Sequence, residues 1–230
     1  MNKQKLLLIE EDKEIELLIA SEAKDAGYEL VIETNEVDSL YVIEIEQPDL
    51  ILLDITLSGQ KGLDLCRKIK TNPEAHNIPL IIISNKHEEA DILLGFELGA
   101  DDYVTKPFSI KILFSRIRAI LRRPKLYKET VYQIIFGPFR LELDKHQLYK
   151  ENKPIILTLS EFNILSRLAQ HRGKVLNRNQ LLDEIQGTDS FIIDRNIDVH
   201  VASLRRKLGP DFDLIETVRG LGYRFKDDVT

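Results

Sequence analysis

Leu50-Ile51-Leu52-Leu53-Asp54 places four aliphatic residues directly before a carboxylate. A continuous aliphatic run of this length is typical of a strand that is buried on both faces, as in a parallel sheet covered by helices. In open sheets of that kind, ligands bind at the carboxyl ends of the strands. Asp54 is therefore either a functional carboxylate at a sheet edge or an ordinary loop and capping residue, and only the neighbouring segments distinguish the two.

The first half of the chain repeats the same arrangement five times. Strand patterns cover residues 6–9, 28–32, 50–54, 79–84 and 103–105, and a helical pattern follows each of them. Strands that alternate with helices form a parallel sheet with helices on both faces. We therefore predict a doubly wound α/β domain over residues 1–123.

Polar residues follow four of these strands. They are Glu10 and Glu11 after the first, Asp54 and Ser84 at the ends of the third and fourth, and Lys106 after the fifth. Crowded carboxylates repel one another unless a cation lies among them, and Mg²⁺ prefers oxygen ligands. A carboxylate can also act as the nucleophile that forms an aspartyl phosphate. The cluster therefore favours a phosphoryl-transfer site, with Lys106 and Ser84 contacting the phosphoryl oxygens.

Residues 1–123 resemble the receiver domain of two-component response regulators. The resemblance lies in the acids after the first strand, the run to Asp54, Ser84, and the segment Gly99–Phe108, which reads GADDYVTKPF. It implies a flavodoxin-like sheet of order 2-1-3-4-5 in which Asp54 accepts a phosphoryl group from a sensor histidine kinase. It also implies a switch pair, Ser84 and Tyr103, and a Mg²⁺ site made of Glu10, Glu11, Asp54 and the backbone carbonyl of Thr56.

The sequence departs from the receiver pattern at several positions. Glu11 stands where Asp is usual, and Asn85 replaces a small residue, so both bear on metal binding and phosphorylation. In the OmpR/PhoB-type subfamily, the fourth and fifth helices and the fifth strand form a dimer face with ion pairs. Ile92 and Ile112 stand at one such pair here, and they either strengthen the dimer or pack within the monomer. The other expected residues of this face are Asp101, Asp102, Arg116 and Arg123.

Charge is distributed unevenly along the chain. Residues 1–123 carry 15 Lys and Arg against 23 Asp and Glu, a net charge of −8, whereas residues 124–230 carry 17 against 15, a net charge of +2. Contact with nucleic acid is therefore expected in the second half. The single cysteine excludes an internal disulfide. No apolar run approaches the roughly 20 residues of a membrane span, so we expect a cytoplasmic protein without membrane contact.

The second half begins with a polar linker, residues 124–130, and continues as an α+β domain over residues 131–230. Four short strands are predicted within residues 131–157, followed by helices over 160–169, 177–185 and 194–208 and a glycine-containing hairpin with Arg219 at its tip. Two helices before a third, basic helix indicate a helix-turn-helix, in which the third helix enters the major groove of DNA.

This half resembles the winged-helix domain of OmpR/PhoB-type regulators. The motifs are Leu159–Phe162, Arg195–Val201, Leu204–Leu208 and Thr217–Phe225. The resemblance implies phosphate contacts that include Arg195, His200, Arg205 and Lys207, bases faced by Val199, Ala202 and Ser203, and Arg219 in the minor groove. It further implies a homodimer on tandem half-sites of double-stranded DNA, and contact with RNA polymerase through residues 187–193.

The expected function is therefore that of a DNA-binding transcription regulator switched by phosphorylation, and not an enzyme. An alternative within the family is a dimeric regulator that acts without phosphorylation, which the departures at Glu11, Asn85 and the isoleucine pair leave open. A phosphohydrolase with an aspartate nucleophile is disfavoured. Such enzymes usually carry a second Asp two residues later, where this chain has Thr56.

Overall fold

The computed structural model describes residues 3–34, 39–56, 62–121, 133–186, 195–210 and 213–227, without the side chains of residues 183–186, 195 and 196. The chain forms two compact units, Met1–Leu121 and Arg122–Thr230. The predicted linker, residues 124–130, lies outside the described residues.

The first unit is a five-stranded parallel sheet in the order β2-β1-β3-β4-β5, which confirms the predicted fold. Its elements are β1 (Lys5–Ile9), α1 (Lys13–Asp25), β2 (Glu29–Glu33), α2 (Ser39–Glu46), β3 (Leu50–Asp54), α3 (Gly62–Thr71), β4 (Leu80–Ser84), α4 (Glu89–Glu97), β5 (Asp102–Thr105) and α5 (Ile110–Leu121).

The strand β3 lies at the centre of this sheet. Leu52 is paired with Leu8 of β1 on one side and with Ile81 of β4 on the other. All five residues of β3 are buried, because helices cover both faces of the sheet. This parallel register brings the carboxyl ends of β1, β3, β4 and β5 to one edge.

Within its described residues, the second unit contains two antiparallel sheets, of order β6-β7-β8-β9 and β10-β12-β11, and three helices. Its elements are β6 (Gln133–Phe136), β7 (Phe139–Glu142), β8 (Gln147–Lys150), β9 (Lys153–Ile155), α6 (Leu159–Gln170), β10 (Val175–Leu176), α7 (Arg178–Gln186), α8 (Arg195–Leu208), β11 (Ile215–Val218) and β12 (Gly222–Phe225). The winged-helix expectation is confirmed, with β11 and β12 forming the hairpin of the wing.

The strand β10 was not predicted. It has two residues, too few to show any alternation, and it pairs with β12. Gly222 permits this pairing because a Cβ atom there would lie 2.1 Å from the carbonyl oxygen of Leu176. The strand β9 lies at the edge of its sheet. It contains Pro154, which an edge strand tolerates because the proline nitrogen needs no hydrogen-bonding partner.

A capping box begins α6. The Thr158 hydroxyl accepts a hydrogen bond from the Glu161 backbone N–H, and the Glu161 carboxylate accepts one from the Thr158 N–H. The side chains of Phe162 and Leu165 then lie in the core of the unit, against Val201 of α8 among others.

Among the described residues, no helix is long and apolar enough to cross a membrane.

Candidate functional site

Three charged side chains meet at the carboxyl edge of the parallel sheet. The ammonium group of Lys106, after β5, lies 2.7 Å from Asp54 Oδ2 and 2.8 Å from Glu10 Oε2. All three side chains are at least nine-tenths buried. Burial disfavours the charged ammonium, but its contacts with Asp54 and Glu10 outweigh this effect and raise the pKa of Lys106. The ammonium group of Lys106 therefore bridges the carboxylates of Asp54 and Glu10.

Backbone and hydroxyl donors fix the remaining carboxylate oxygens. The N–H and the hydroxyl of Thr56 donate to Asp54 Oδ1 at 2.7 and 2.6 Å. The N–H groups of Glu11 and Asp12 donate to Glu10 Oε1. Burial raises the pKa of Glu10, and these donors together with Lys106 offset part of the effect. The hydroxyl contact of Thr56 was missed at the sequence level, where only its carbonyl was assigned a role.

Glu11 follows Glu10 and is exposed. Among the residues that the structure describes, no group of three or more acidic, histidine or cysteine side chains is placed to hold a metal. The assignment of Glu11 to the Mg²⁺ site therefore stays a prediction, whereas Glu10 and Asp54 already lie together on Lys106. Two carboxylates and the Thr56 carbonyl still fit Mg²⁺, which commonly binds through one or two carboxylates and keeps several waters.

Ser84 and Tyr103 lie beside the charged cluster, on β4 and β5. Ser84 is fully buried, and its hydroxyl accepts a hydrogen bond from the Lys86 N–H. The Tyr103 hydroxyl donates to the Lys86 carbonyl at 3.0 Å, and burial raises the pKa of Tyr103. Gly95 of α4 makes room for this ring, since a Cβ atom there would lie 2.9 Å from it. Sequence reasoning did not identify Gly95, because the contact joins two separate elements.

The expected dimer face is only partly exposed. Ile112 of α5 is 54% exposed, whereas Ile92 of α4 is half-buried. Two assignments to this face are corrected. Asp101 is 2% exposed and pairs with the buried Lys70 at 2.8 Å. The buried Asp102 pairs with Arg116 of the same chain at 2.9 Å.

The helix α8 exposes fewer of the expected DNA contacts than its sequence suggests. Val199 is half-buried and Ala202 is exposed, as expected of a face toward DNA. Ser203, in contrast, is 7% exposed, and its hydroxyl donates to Glu161 Oε1 at 2.6 Å. The expectation that Ser203 faces the bases is corrected, because the buried carboxylate of Glu161 holds the hydroxyl inside the unit.

The basic residues of this unit occupy different settings. His200 is buried, so the expectation that it contacts a DNA phosphate directly is corrected. Arg205 donates to the Ile215 carbonyl at 2.7 Å, and Arg219 at the wing is exposed. The Lys207 ammonium lies 2.5 Å from Glu161 Oε2. The expected roles of Arg123, of the Arg195 side chain and of residues 187–193 concern parts of the chain outside the structural description.

Asp198 of α8 connects the helix to two other elements, which sequence reasoning missed. Its Oδ1 atom accepts hydrogen bonds from Arg178 Nε of α7 and from the Tyr223 hydroxyl of β12, both at 2.7 Å. The residue therefore fixes α8 against α7 and the wing.

Two sequence families match the chain. The family described as "Response regulator receiver domain" matches residues 6–118, and "Transcriptional regulatory protein, C terminal" matches residues 152–225. The phosphate regulon transcriptional regulatory protein PhoB of Pseudomonas aeruginosa is 36% identical over 221 residues, and the match covers 96% of each chain. The alkaline phosphatase synthesis transcriptional regulatory protein PhoP of Bacillus subtilis is 34% identical, with 99% of this chain and 98% of that protein covered.

Two solved structures match this chain over both of its units. A point mutant of RitR superposes with a TM-score of 0.80 at 26% identity, covering 97% of this chain and 99% of that one. The response regulator DrrB of Thermotoga maritima, described as an OmpR/PhoB homologue, is 29% identical with a TM-score of 0.50, and 98% and 100% of the two chains are covered.

Proposed function

Because the chain belongs to the OmpR/PhoB-type response regulators, the DNA-binding transcription regulators of two-component systems, we propose that Asp54 is its phosphoryl acceptor. The observation that supports this most strongly is the contact of Asp54 Oδ2 with Lys106 at 2.7 Å, at the carboxyl edge of the sheet. A buried ammonium beside the acceptor oxygen stabilises charge on an incoming phosphoryl group.

The transfer needs no separate base. An Asp54 oxygen forms a bond to phosphorus while the bond between phosphorus and the histidine nitrogen of the kinase breaks, and the electron pair of that bond stays on the nitrogen. Lys106 remains in contact with the phosphoryl oxygens, and the Ser84 hydroxyl donates to one of them. When bound, Mg²⁺ supplies neutralisation of the phosphoryl charge, and Glu10, Asp54 and the Thr56 carbonyl would hold it.

Intact-mass measurement with acetyl phosphate and Mg²⁺ tests this assignment. The native chain should gain the mass of one phosphoryl group, and Asp54→Asn, which has the same shape without the charge, should gain none. Thr105→Ser on β5 is the matched control and should still be phosphorylated. A full mass gain in the Asn variant would place the acceptor elsewhere.

We further propose that Ile112 and Ile92 belong to a surface that pairs two copies of the chain. Ile112 is an exposed apolar side chain on α5, whose neighbours Lys111 and Arg118 are exposed cations. The helix α4 carries acidic residues, among them Glu89 and Asp91. An acidic helix and a basic helix on one unit are complementary to each other when the unit meets a second copy.

The exposed isoleucine supports a second candidate, a regulator that dimerises without phosphorylation. Burial of the exposed half of the Ile112 side chain at an interface contributes roughly 0.8–1.5 kcal/mol, about as much as the best exposed ion pairs or more. Sedimentation velocity of unphosphorylated chain and of Ile112→Lys separates the candidates. A dimer of the unphosphorylated chain that is lost in Ile112→Lys supports the phosphorylation-independent regulator. Monomer that becomes dimer only after acetyl phosphate treatment supports the switch.

A further inference from the structure

The basic side chains that the structure describes on α8 fall into two groups. Arg205 is tied to the wing, since its guanidinium donates to the Ile215 carbonyl at 2.7 and 3.1 Å and to the Thr217 hydroxyl at 2.8 Å. Lys207 is tied to α6 through Glu161 at 2.5 Å. Arg206 is exposed, and its hydrogen bond, to the Ser203 hydroxyl, is 3.3 Å long. Arg206 is therefore the least restrained of the three.

Glu161 explains why the half-buried Lys207 side chain is held against α6. The carboxylate is buried and accepts hydrogen bonds from the Thr158 N–H and the Ser203 hydroxyl in addition to Lys207. Moving Lys207 to a DNA phosphate would leave this buried anion without its cation, which is strongly unfavourable. Moving Arg206 breaks one long hydrogen bond to a neutral hydroxyl, which costs far less.

Arg206 also lies on the correct face of the helix. Val199, Ala202 and Arg206 follow one another at intervals of three and four residues, which places them along one side of α8. This side is opposite the buried stripe of Ile197, Val201, Leu204 and Leu208. The small Ala202 allows close approach to the groove, and the long guanidinium one turn later can reach the flanking backbone.

We propose that Arg206, and not Lys207, is the DNA-phosphate contact in the last turn of α8, and that Lys207 positions the helix through Glu161. The inference rests on α8 being the helix that faces DNA. It reverses the expectation from sequence, which selected Lys207 and left Arg206 without a role.

Fluorescence anisotropy tests this division on the full chain, with two labelled duplexes of unrelated mixed sequence titrated over a range of salt concentrations. Arg206→Gln should weaken binding to both duplexes and reduce the slope of log K against log salt by about 0.9, the value for one phosphate. Lys207→Gln should lower the Tm and leave that slope at the native value. Ala202→Glu, which adds an anion to the exposed face, should abolish binding to both duplexes.

The outcomes separate failure of the inference from failure of its premise. Loss of binding in Ala202→Glu with no change in Arg206→Gln would overturn the role of Arg206 alone. A reduced slope in Lys207→Gln would overturn the positioning role of Lys207. An effect of Arg206→Gln on only one duplex would replace the phosphate contact by base recognition. Undiminished binding by Ala202→Glu would remove α8 from the DNA interface and overturn both proposals.

Discussion

The side chain of Tyr223 is buried, and its hydroxyl has a hydrogen-bond acceptor. Its hydroxyl donates to Asp198, and burial followed by this contact raises its pKa from 10.0 to about 12. An unfolded tyrosine loses its proton first as the pH rises, so the contribution of Tyr223 to stability is complete below pH 10.0 and is lost toward about pH 12. The shift contributes less than roughly 2–3 kcal/mol to the free energy of unfolding, because the half-exposed Asp198 carboxylate is partly screened by solvent.

Urea unfolding below and above pH 10.0 measures this loss. Tyr223→Phe cannot ionise, so its free energy of unfolding should fall less steeply with pH than that of the native chain. Equal slopes in the two proteins would show that Asp198 does not hold the Tyr223 proton.

Cys66 is the single cysteine of the chain and is fully buried in α3. Burial raises the pKa of its thiol to about 12, so almost no reactive thiolate exists at neutral pH. We expect Ellman's reagent to leave the native protein unlabelled and to label one thiol in denaturant. A cysteine at the exposed neighbouring position, Lys68→Cys, should react at once in the native protein. Rapid labelling of native Cys66 would contradict its burial in α3.

At the scale of elements, the contact between α4 and β5 depends on Gly95. In an exposed helix, Gly→Ala stabilises by about 1 kcal/mol. Here the added methyl group would lie 2.9 Å from the Tyr103 ring and 3.0 Å from the Ile82 side chain. Gly95→Ala should therefore destabilise the receiver unit by roughly 1–3 kcal/mol, the usual cost of overpacking, as measured by chemical unfolding.

A double-mutant cycle identifies the cause of that destabilisation. In a Tyr103→Ala background the ring is absent, so the same Gly95→Ala change should cost clearly less. An identical cost in both backgrounds would mean that the Tyr103 ring does not determine the need for glycine. The hydrogen bond from the Tyr103 hydroxyl to the Lys86 carbonyl would then be the contact that holds the buried ring in place.

At the scale of the whole molecule, the two units differ in net charge and in the function expected of each. The net charge of −8 belongs to residues 1–123, and the second unit has its own hydrophobic core. A chain of residues 122–230 should fold and bind the mixed-sequence duplexes with the salt slope of the full chain, while residues 1–121 should not bind. Anisotropy titrations of both fragments measure this, and circular dichroism checks that each is folded. A markedly smaller slope for the second fragment would assign some phosphate contacts to the receiver unit.

The sequence predicts the elements well because their signals are local. Aliphatic runs such as Leu50–Leu53 identify buried strands, and their alternation with helices determines the sheet topology. The polar residues that follow the strands then predict the meeting of Asp54 and Lys106. The short strand β10 carries no such periodic signal, so it escaped prediction.

The errors concern side chains whose partners are distant in sequence. Ser203 lies off the core stripe of α8, and the family resemblance assigned it to the DNA face, whereas its partner Glu161 is 42 residues away. The pairing of Asp101 with Lys70 spans 31 residues in the same way. Burial of a polar residue depends on its partner, and helical spacing does not identify that partner.

The carboxylate of Glu161 couples the start of α6 to the last turns of α8. The first turn of α6 and the last turns of α8 share this one anion, so neither can open without depriving it of donors. Backbone amides in these two segments should therefore exchange with solvent as one cooperative unit. DNA then meets a helix whose ordering entropy was lost during folding, and binding does not have to supply it again.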